Sequence, residues 1–399
     1  MKILVANLGS TSFKYRLYDL ADGGAETMLA RGSVERIGSK EARVVMTSPR
    51  GDFEMIEPVA DHGDAVKICL DQLVDPVVGV LERPGDVAAI GFKAVLAKDL
   101  TGVQLVTEEV LDAMEAFAAV APAHNPPYIR AMRTLGDRFP SLPLVAAFET
   151  GFHRTIPEAN QRYAIPERWA TAYGIRRWGF HGASHRYIAG RMAEILGRDD
   201  LRIISCHLGG SSSLCAIKGG ESQACSLGMS PQSGLPQNNR VGDFDVFALP
   251  ALLRDSGLSL DEILDTLANR SGLDGLGGAG RDLRDIEGQA NVGNPQAELA
   301  LRVFVASARH YLGAYLVELG GADAIVFTGG IGENSVRIRW DVCRDLDGLG
   351  IALDPEKNAH AVDESLVSAE GSRVQVWTLP TNEEIVVARQ ARDLLAGRS

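Results

Sequence analysis

Two stretches 200 residues apart share one pattern of residue types: an apolar strand, a small-residue turn and a second apolar strand. The first runs Ile3-Leu4-Val5-Ala6-Asn7-Leu8-Gly9-Ser10-Thr11-Ser12-Phe13-Lys14-Tyr15. The second runs Ile203-Ile204-Ser205-Cys206-His207-Leu208-Gly209-Gly210-Ser211-Ser212-Ser213-Leu214-Cys215. Asn7 aligns with His207, Gly9 with Gly209 and Ser12 with Ser212. A strand that ends in a polar residue and enters a Gly/Ser turn exposes backbone N–H groups and hydroxyls, which suit phosphate oxygens. Two such loops in one chain imply an internal duplication, with phosphates held between two halves.

Other residues add to this chemistry. Gly329-Gly330-Ile331-Gly332-Glu333-Asn334 follows the apolar run 324–327 and opens a helix, so its glycines allow a base or phosphate close to the backbone. It has neither the GxGxxG order nor a Gly-Lys-Ser/Thr ending, so neither a dinucleotide fold nor a P-loop is implied. Arg176-Arg177-Trp178-Gly179-Phe180-His181-Gly182-Ala183-Ser184-His185 places His181 in a glycine-flanked loop, with Ser184 able to cap the next helix; His185 reads as a structural residue of its first turn. Arg240 lies among small and amide residues without other cations, a candidate anion clamp. Arg281-Asp282-Leu283-Arg284-Asp285 alternates charge at helical spacing and suits either a solvated helix with internal ion pairs or a ligand contact. Glu383 and Glu384 start the last helix, where carboxylates favour the dipole. The five cysteines are odd in number and lack CxxC spacing, so neither a disulfide framework nor a zinc site is implied; Cys206 reads as a small buried hydrophobe.

The elements that must position these groups alternate in an α/β order. A hairpin over 2–19 is followed by strands near 31–37 and 42–47 and a turn at 49–51. A helix is expected over 62–82 and a strand over 87–91. Helices follow near 107–118 and 126–138, the second capped by Asn125 with Pro126 and Pro127 at its start. A strand over 142–147 ends at Phe148-Glu149-Thr150. The second half carries strands over 201–206, 213–218 and 222–226, then helices near 243–256, 259–268 and 281–291. A helix over 296–319 is apolar on more than one face and is expected to be buried between neighbours. A strand at 373–379 and a final helix complete the chain.

With 399 residues, the chain exceeds the roughly 250–300 at which one core stops growing, so two domains are expected. The domain division is expected as 1–150 plus 384–399 and 151–383. A net charge of −12 argues against nucleic-acid or acidic-membrane partners, while a few local cations suffice for a small anion. No apolar run approaches the roughly 18 residues of a membrane span and the first residues enter a strand directly, so a cytoplasmic protein is expected.

The motifs together resemble the acetate kinase family. Asn7-Leu8-Gly9-Ser10-Thr11-Ser12-Phe13-Lys14, His124-Asn125-Pro126-Pro127, Gly179-Phe180-His181-Gly182, Gly329–Asn334 and Pro380-Thr381-Asn382-Glu383-Glu384 occur in the family's order over essentially the whole chain. The resemblance implies the duplicated ribonuclease-H-like fold of sugar kinases, Hsp70 chaperones and actin, with ATP or ADP in an interdomain cleft, Mg²⁺ and a homodimer. It places Ser10, Ser12 and Lys14 on the first phosphate loop and His207, Leu208, Gly209 and Gly210 on the second. Asp282, Leu283, Arg284, Gly329, Gly330, Ile331, Gly332 and Asn334 fall on the nucleotide side, and Asn7 and Glu383 on the metal. Arg240 and His181 match residues that hold the transferring phosphoryl group. Val95, Phe180 and Pro231 line the acyl pocket.

Departures from the family gather on the acyl side. Lys93 stands for an arginine, trading a bidentate fork for a point charge. Glu149 replaces the catalytic aspartate, Gly210 an asparagine, and Ala123 a leucine of the pocket. The expected reaction is reversible phosphoryl transfer from ATP to a short carboxylic acid, acetate or a somewhat larger acid such as propionate, with Glu149, Arg240, His181 and Lys93 at the reacting group. Two alternatives stay open from the residues alone: a kinase acting on a hydroxy acid, with Glu149 as base, and a nucleotide-binding homologue with a weakened acyl site.

Overall fold

A continuous apolar run over Ile3–Ala6 and the strands after it build an antiparallel meander of five strands: β1 (Lys2–Leu8), β2 (Ser12–Leu20), β3 (Glu26–Glu35), β4 (Ala42–Ser48) and β5 (Gly51–Glu57). The strand β6 (Val87–Ala94) pairs parallel to β1, and β8 (Leu144–Phe148) parallel to β6, with β7 (Val103–Leu105) antiparallel at the edge. The sheet order is β5-β4-β3-β2-β1-β6-β8-β7. The computed structural model describes residues 1–9, 11–21, 24–122, 124–277, 280 and 282–398. The chain divides into two units, Met1–Gly151 with Asn382–Ser399, and Phe152–Thr381.

In the first unit, Leu4, Ala6, Phe13, Tyr15 and Leu17 point to one face of the sheet and pack with Ala65, Cys69 and Leu73 of the helix His62–Leu73 and with Ile129, Met132 and Leu135 of the helix Asn125–Arg138. The helix Glu383–Leu395 packs against β1, β2 and β6. A Cβ on Gly91 of β6 would meet Val387 Cγ1 at 3.0 Å, so a residue without a side chain lets the helix approach closely.

The second unit contains β9 (Arg202–Leu208), β10 (Ser212–Lys218), β11 (Glu221–Cys225), β12 (Ala324–Thr328), β13 (Ser365–Leu366) and β14 (Gln375–Thr378), in the order β11-β10-β9-β12-β14-β13. Its first five positions repeat β3-β2-β1-β6-β8 in order and in sense, two antiparallel pairs followed by two parallel ones. The duplication seen in two loops thus extends to the strand plan of both units. The copies are not in the same register. Asn7 pairs with Lys14 across the first loop, whereas His207 pairs with Ser213 across the second. The second loop is shorter by one residue, so the position opposite His207 holds a serine instead of the counterpart of Lys14.

Several expected elements differ for local reasons. The helix starting at His62 ends at Leu73 instead of continuing to 82, because Asp75 and Pro76 form a turn in which Asp75 Oδ1 accepts from the N–H groups of Val77 and Val78. The strand β5 was not anticipated; its alternating Gly-Asp-Phe-Glu-Met-Ile-Glu is a partly exposed edge. Asn125 does not cap its helix: it is 1% exposed and its Nδ2 donates to the carbonyls of Leu96 and Met114. The segment expected as one helix over 243–256 is a 3₁₀ turn at Val246–Ala248 followed by the helix Leu249–Asp255, with Pro250 in the first turn. The long helix Pro295–Glu318 buries one face only, Ala297, Ala300, Leu301, Phe304 and Ala308 among others, while Leu299 and Val317 are exposed. All five cysteines are buried free thiols, and burial pushes the Cys206 thiol well up from its ordinary value.

Candidate active site

In the first unit, the C-terminal ends of β1, β6 and β8 and the start of the last helix bring four sequence-selected residues together. Lys93 Nζ donates to Glu383 Oε2 at 2.5 Å and lies 3.9 Å from Glu149 Oε1. Glu149 is 5% exposed and the Glu383 side chain 15%. Burial alone would discharge Lys93, but the nearby Glu383 and Glu149 carboxylates outweigh it and push its ammonium above the ordinary lysine range. Asn7 Oδ1 accepts from the Tyr128 hydroxyl at 3.2 Å, and the same oxygen of Tyr128 accepts from the Leu8 N–H. The next carboxylate, Glu384, turns away to Arg16 at 3.2 Å. Lys14 and Asn7 line a groove of about 310 Å³ with Arg16, Arg31, Ser33 and Glu384. Val95 follows β6 and is half-buried; Ser10 and Ala123 lie outside the described residues.

The first loop closes through Gly9 N–H donating to Ser12 O at 2.8 Å. The second closes differently: Gly209 N–H donates to Ser212 Oγ at 3.2 Å, and that hydroxyl donates back to Gly209 O at 3.0 Å. Asn238 N–H holds Gly210 O at 3.1 Å, tying the second loop to the segment that carries Arg240. Arg240 Nη1 donates to Ser211 Oγ at 3.3 Å and Gln237 Oε1 at 3.1 Å. Gln237 Nε2 in turn donates to the carbonyl of Pro231, itself buried. Among the described residues no carboxylate pairs with Arg240, and burial lowers its pKa from the ordinary value. A half-buried guanidinium surrounded by neutral acceptors is suited to an anion.

His181 has φ +55°, a left-handed conformation unusual for a residue with a side chain. It precedes the helix Gly182–Leu196 directly. Its Nδ1 is 2.8 Å from Ser213 Oγ, and its ring stacks on His207 with centroids 4.2 Å apart. His207 Nδ1 is 2.8 Å from Ser184 Oγ. Ser184 therefore sits inside the first turn holding His207 and does not cap the helix. His185 is fully buried between Ser205 Oγ at 2.8 Å and Ser213 Oγ at 2.9 Å. Phe180 is 2% exposed, and its carbonyl is 2.8 Å from His153 Nε2. Burial holds the His153 imidazole down at about 4 and His185 well below the ordinary value, so both are neutral near pH 7.

A cavity of about 480 Å³ in the second unit is lined by Gly209, Gly210, Asp282, Leu283, Arg284, Gly330, Ile331 and Asn334, together with Asn238, Glu287 and Ser335. Its volume suits a small organic ligand. Asp282 caps the helix Leu283–Asn291 and pairs with Arg284 at 2.6 Å, so the charge alternation is a helix start at the cavity rim; Arg281 lies outside the described residues. Gly329 has φ +78°, and a Cβ there would meet Leu208 O at 2.7 Å, which makes glycine the residue this approach requires. Leu208 and Gly332 lie buried beneath the loops.

Sequence reasoning missed Tyr128, Ser205, Ser213, Asn238 and Glu287. Ser213 was within the aligned repeat, but the one-residue register change concealed that it faces His207. Among the described residues no group of three His, Cys, Asp or Glu side chains is arranged to hold a metal, and no helix is long and apolar enough to cross a membrane. The first unit nevertheless gathers Asn7, Glu149 and Glu383, hard oxygen donors of the kind Mg²⁺ takes when substrate phosphates and water complete its shell.

The family model described as Acetokinase family matches residues 2–389. An acetate kinase of Clostridium botulinum (strain 657) is 40% identical over 99% of this chain and all of its own length. An acetate kinase of Carboxydothermus hydrogenoformans is 40% identical over the full length of both chains. Among solved structures, an acetate kinase of Porphyromonas gingivalis superimposes with a TM-score of 0.88 at 36% identity over 99% of both chains. A propionate kinase of Francisella tularensis reaches 0.88 at 32% identity over 98% of both.

Proposed function

The chain belongs to the acetokinase family and is a phosphotransferase with a carboxyl-group acceptor, and we propose that it passes the γ-phosphoryl group of ATP reversibly to acetate or a somewhat larger acid such as propionate. Its two α/β units with one repeated strand plan agree with the duplicated fold of sugar kinases and actin. The observation that carries the proposal is Arg240, a half-buried guanidinium without a carboxylate among the described residues, strapped beside the second loop. The forming bond joins a carboxylate oxygen to the γ-phosphorus; the breaking bond joins that phosphorus to the β–γ bridging oxygen. The products are an acyl phosphate and ADP. The acceptor is already ionised at pH 7, so no base is needed and catalysis reduces to alignment and charge neutralisation.

Each residue then has a task. Arg240 and His181 donate to the equatorial oxygens of the moving phosphoryl group. Lys93 carries three N–H donors; Glu383 and Glu149 orient it, leaving a donor for substrate. Asn7 and Glu383, with Glu149 or its water, would hold Mg²⁺, which neutralises phosphate charge when bound. Lys14, Ser10, Ser12 and His207 to Gly210 serve the phosphates. The cavity at Asp282–Arg284 and Gly329–Asn334 takes the nucleoside, and Val95, Ala123, Phe180 and Pro231 contact the acyl chain. Ala123 in place of leucine favours chains longer than acetate, with roughly 0.8 kcal/mol gained per extra buried methylene.

A homodimer in the cytoplasm belongs to the same proposal. Phe247 and Val246, 84% and 64% exposed in the second unit, support association. Sedimentation velocity reads the dimer directly. For the reaction, ATP and Mg²⁺ are incubated with short carboxylic and hydroxy acids, and hydroxylamine traps any acyl phosphate. Hydroxamate with acetate and propionate is the expected result. ADP release with a hydroxy acid but no hydroxamate with any carboxylic acid would sink the reading.

A further inference from the structure

The buried hydroxyls and imidazoles behind His181 form a continuous chain: Ser205 Oγ to His185 Nδ1 at 2.8 Å, His185 Nε2 to Ser213 Oγ at 2.9 Å, and Ser213 Oγ to His181 Nδ1 at 2.8 Å. Ser205, Ser213 and His185 are all 0% exposed, so bulk water does not reach a hydrogen bond left open. We infer that Ser205, His185 and Ser213 are positioning residues that set the tautomer of His181, keeping its proton on Nε2 and so presenting a donor to the phosphoryl oxygen. This rests on the role proposed above for His181.

The direction of the chain follows from counting protons. A hydroxyl has one proton to give and a neutral imidazole has one. Among the described residues, the acceptor within reach of the Ser205 hydroxyl is His185 Nδ1. If His185 instead donated from Nδ1, the Ser205 proton would be buried without an acceptor, which is costly. Ser205 therefore donates to Nδ1, and the proton of His185 resides on Nε2. From there it is donated to Ser213 Oγ. The Ser213 proton then has one remaining neighbour, His181 Nδ1, and donates to it. A nitrogen that accepts carries no proton, so in neutral His181 the proton lies on Nε2. A doubly protonated His185 would turn Ser205 into an acceptor and strand its proton; burial opposes that charge as well.

The rest of the local structure holds the chain in line. His153 and His207 approach the His185 ring, with centroids 5.8 and 6.4 Å away, both edge-on. His207 stacks on His181 and is held at Nδ1 by Ser184. The left-handed backbone at His181 directs its ring to Ser213. The register change between the two loops also acquires a role. The residue opposite His207 on β10 is Ser213, which bridges the two histidines; the first loop has Lys14 in that position.

Two measurements test the chain. In protein labelled with ¹⁵N-histidine, long-range ¹H–¹⁵N correlation reads each tautomer, with the His181 signals identified by their loss in His181→Gln. Protonated Nε2 and bare Nδ1 are expected for both His181 and His185; a proton on Nδ1 of neutral His181, or a cationic His185, overturns the inference. In kinetics, Ser213→Ala is expected to lower kcat about 10–100-fold, the range found when the partner orienting a ligating histidine is removed. The KM for ATP is expected to stay within about twofold, and Ser213→Thr, which keeps the hydroxyl, to recover most of the loss. Wild-type kcat in Ser213→Ala overturns the inference. If Ser213→Ala does not fold, the wild-type tautomer decides. If the wild type phosphorylates neither acetate nor propionate, the proposed function fails while the tautomer reading still tests the chain.

Discussion

Replacing Lys93 by methionine keeps the length of the side chain and removes its charge. At an effective dielectric of about 20, unit charges 2.5 Å apart attract by about 7 kcal/mol and those 3.9 Å apart by about 4. Desolvation of three partly buried groups cancels much of this, and the net loss on deleting one partner of such a pair is about 3–5 kcal/mol. Lys93→Met should therefore lose about that much in urea unfolding followed by circular dichroism. Lys93→Arg, which restores the charge, should lose less than half as much. The sign of the pH dependence is fixed. In the wild type the folded lysine pKa is raised, so its contribution is complete below the unfolded value of about 10.4 and is lost as pH rises through the folded value. In Lys93→Met, two carboxylates face each other without a cation. The folded state then takes up a proton more readily than the unfolded one, so the deficit should shrink as pH falls toward 4. A deficit under about 1 kcal/mol at pH 7, or one independent of pH between 4 and 7, would refute the reasoning.

Other substitutions probe separate parts of the molecule. Arg240→Ala should lower kcat by about 10²–10³ with little change in the KM for ATP, since it removes the donor proposed for the moving phosphoryl group; steady-state kinetics with varied ATP reads this, and near-normal turnover rejects the assignment. Asn125→Ala leaves the Leu96 and Met114 carbonyls without the buried amide that reaches them, and should cost roughly 1–3 kcal/mol for each carbonyl left unsatisfied, read as a lower urea midpoint. An unchanged midpoint would mean water replaces the amide. Gly329→Ala forces a Cβ against Leu208 O at a positive φ, so stability should fall by more than about 1 kcal/mol and ATP affinity with it. Calorimetry with and without nucleotide checks both effects, and wild-type values for both would remove Gly329 from the required set.

Much of this protein is legible along the chain because much of it is local. Strand–turn–strand patterns fall where apolar alternation meets Gly and Ser, and the helix after Thr328 begins where the glycines permit it. Ends of elements were less legible. The helix at His62 stops where Asp75 satisfies two N–H groups, and Asn125, with a residue type and neighbours suited to a cap, spends its amide on two distant carbonyls. The exposed side of the helix Pro295–Glu318 depended on how much of its apolar surface the second unit could cover.

Residue types near each loop were enough to nominate Asn7, His181 and Arg240, since charge, amide and imidazole chemistry belongs to the residue itself; Lys93, Glu149 and Glu383 were nominated by the resemblance to the family. Partnership belongs to the fold. Lys93 meets Glu383 across 290 positions of sequence, and that distance is closed by the last helix packing on β1, β2 and β6. The sequence alone determined the duplicated loops and their family, because those follow from short, local patterns. Tertiary structure decided the register of the second copy. One residue fewer in its loop places Ser213 opposite His207 and links it to His181 and His185, and hydrogen-bond direction in that buried chain depends on which atoms the sheet brings within 3 Å.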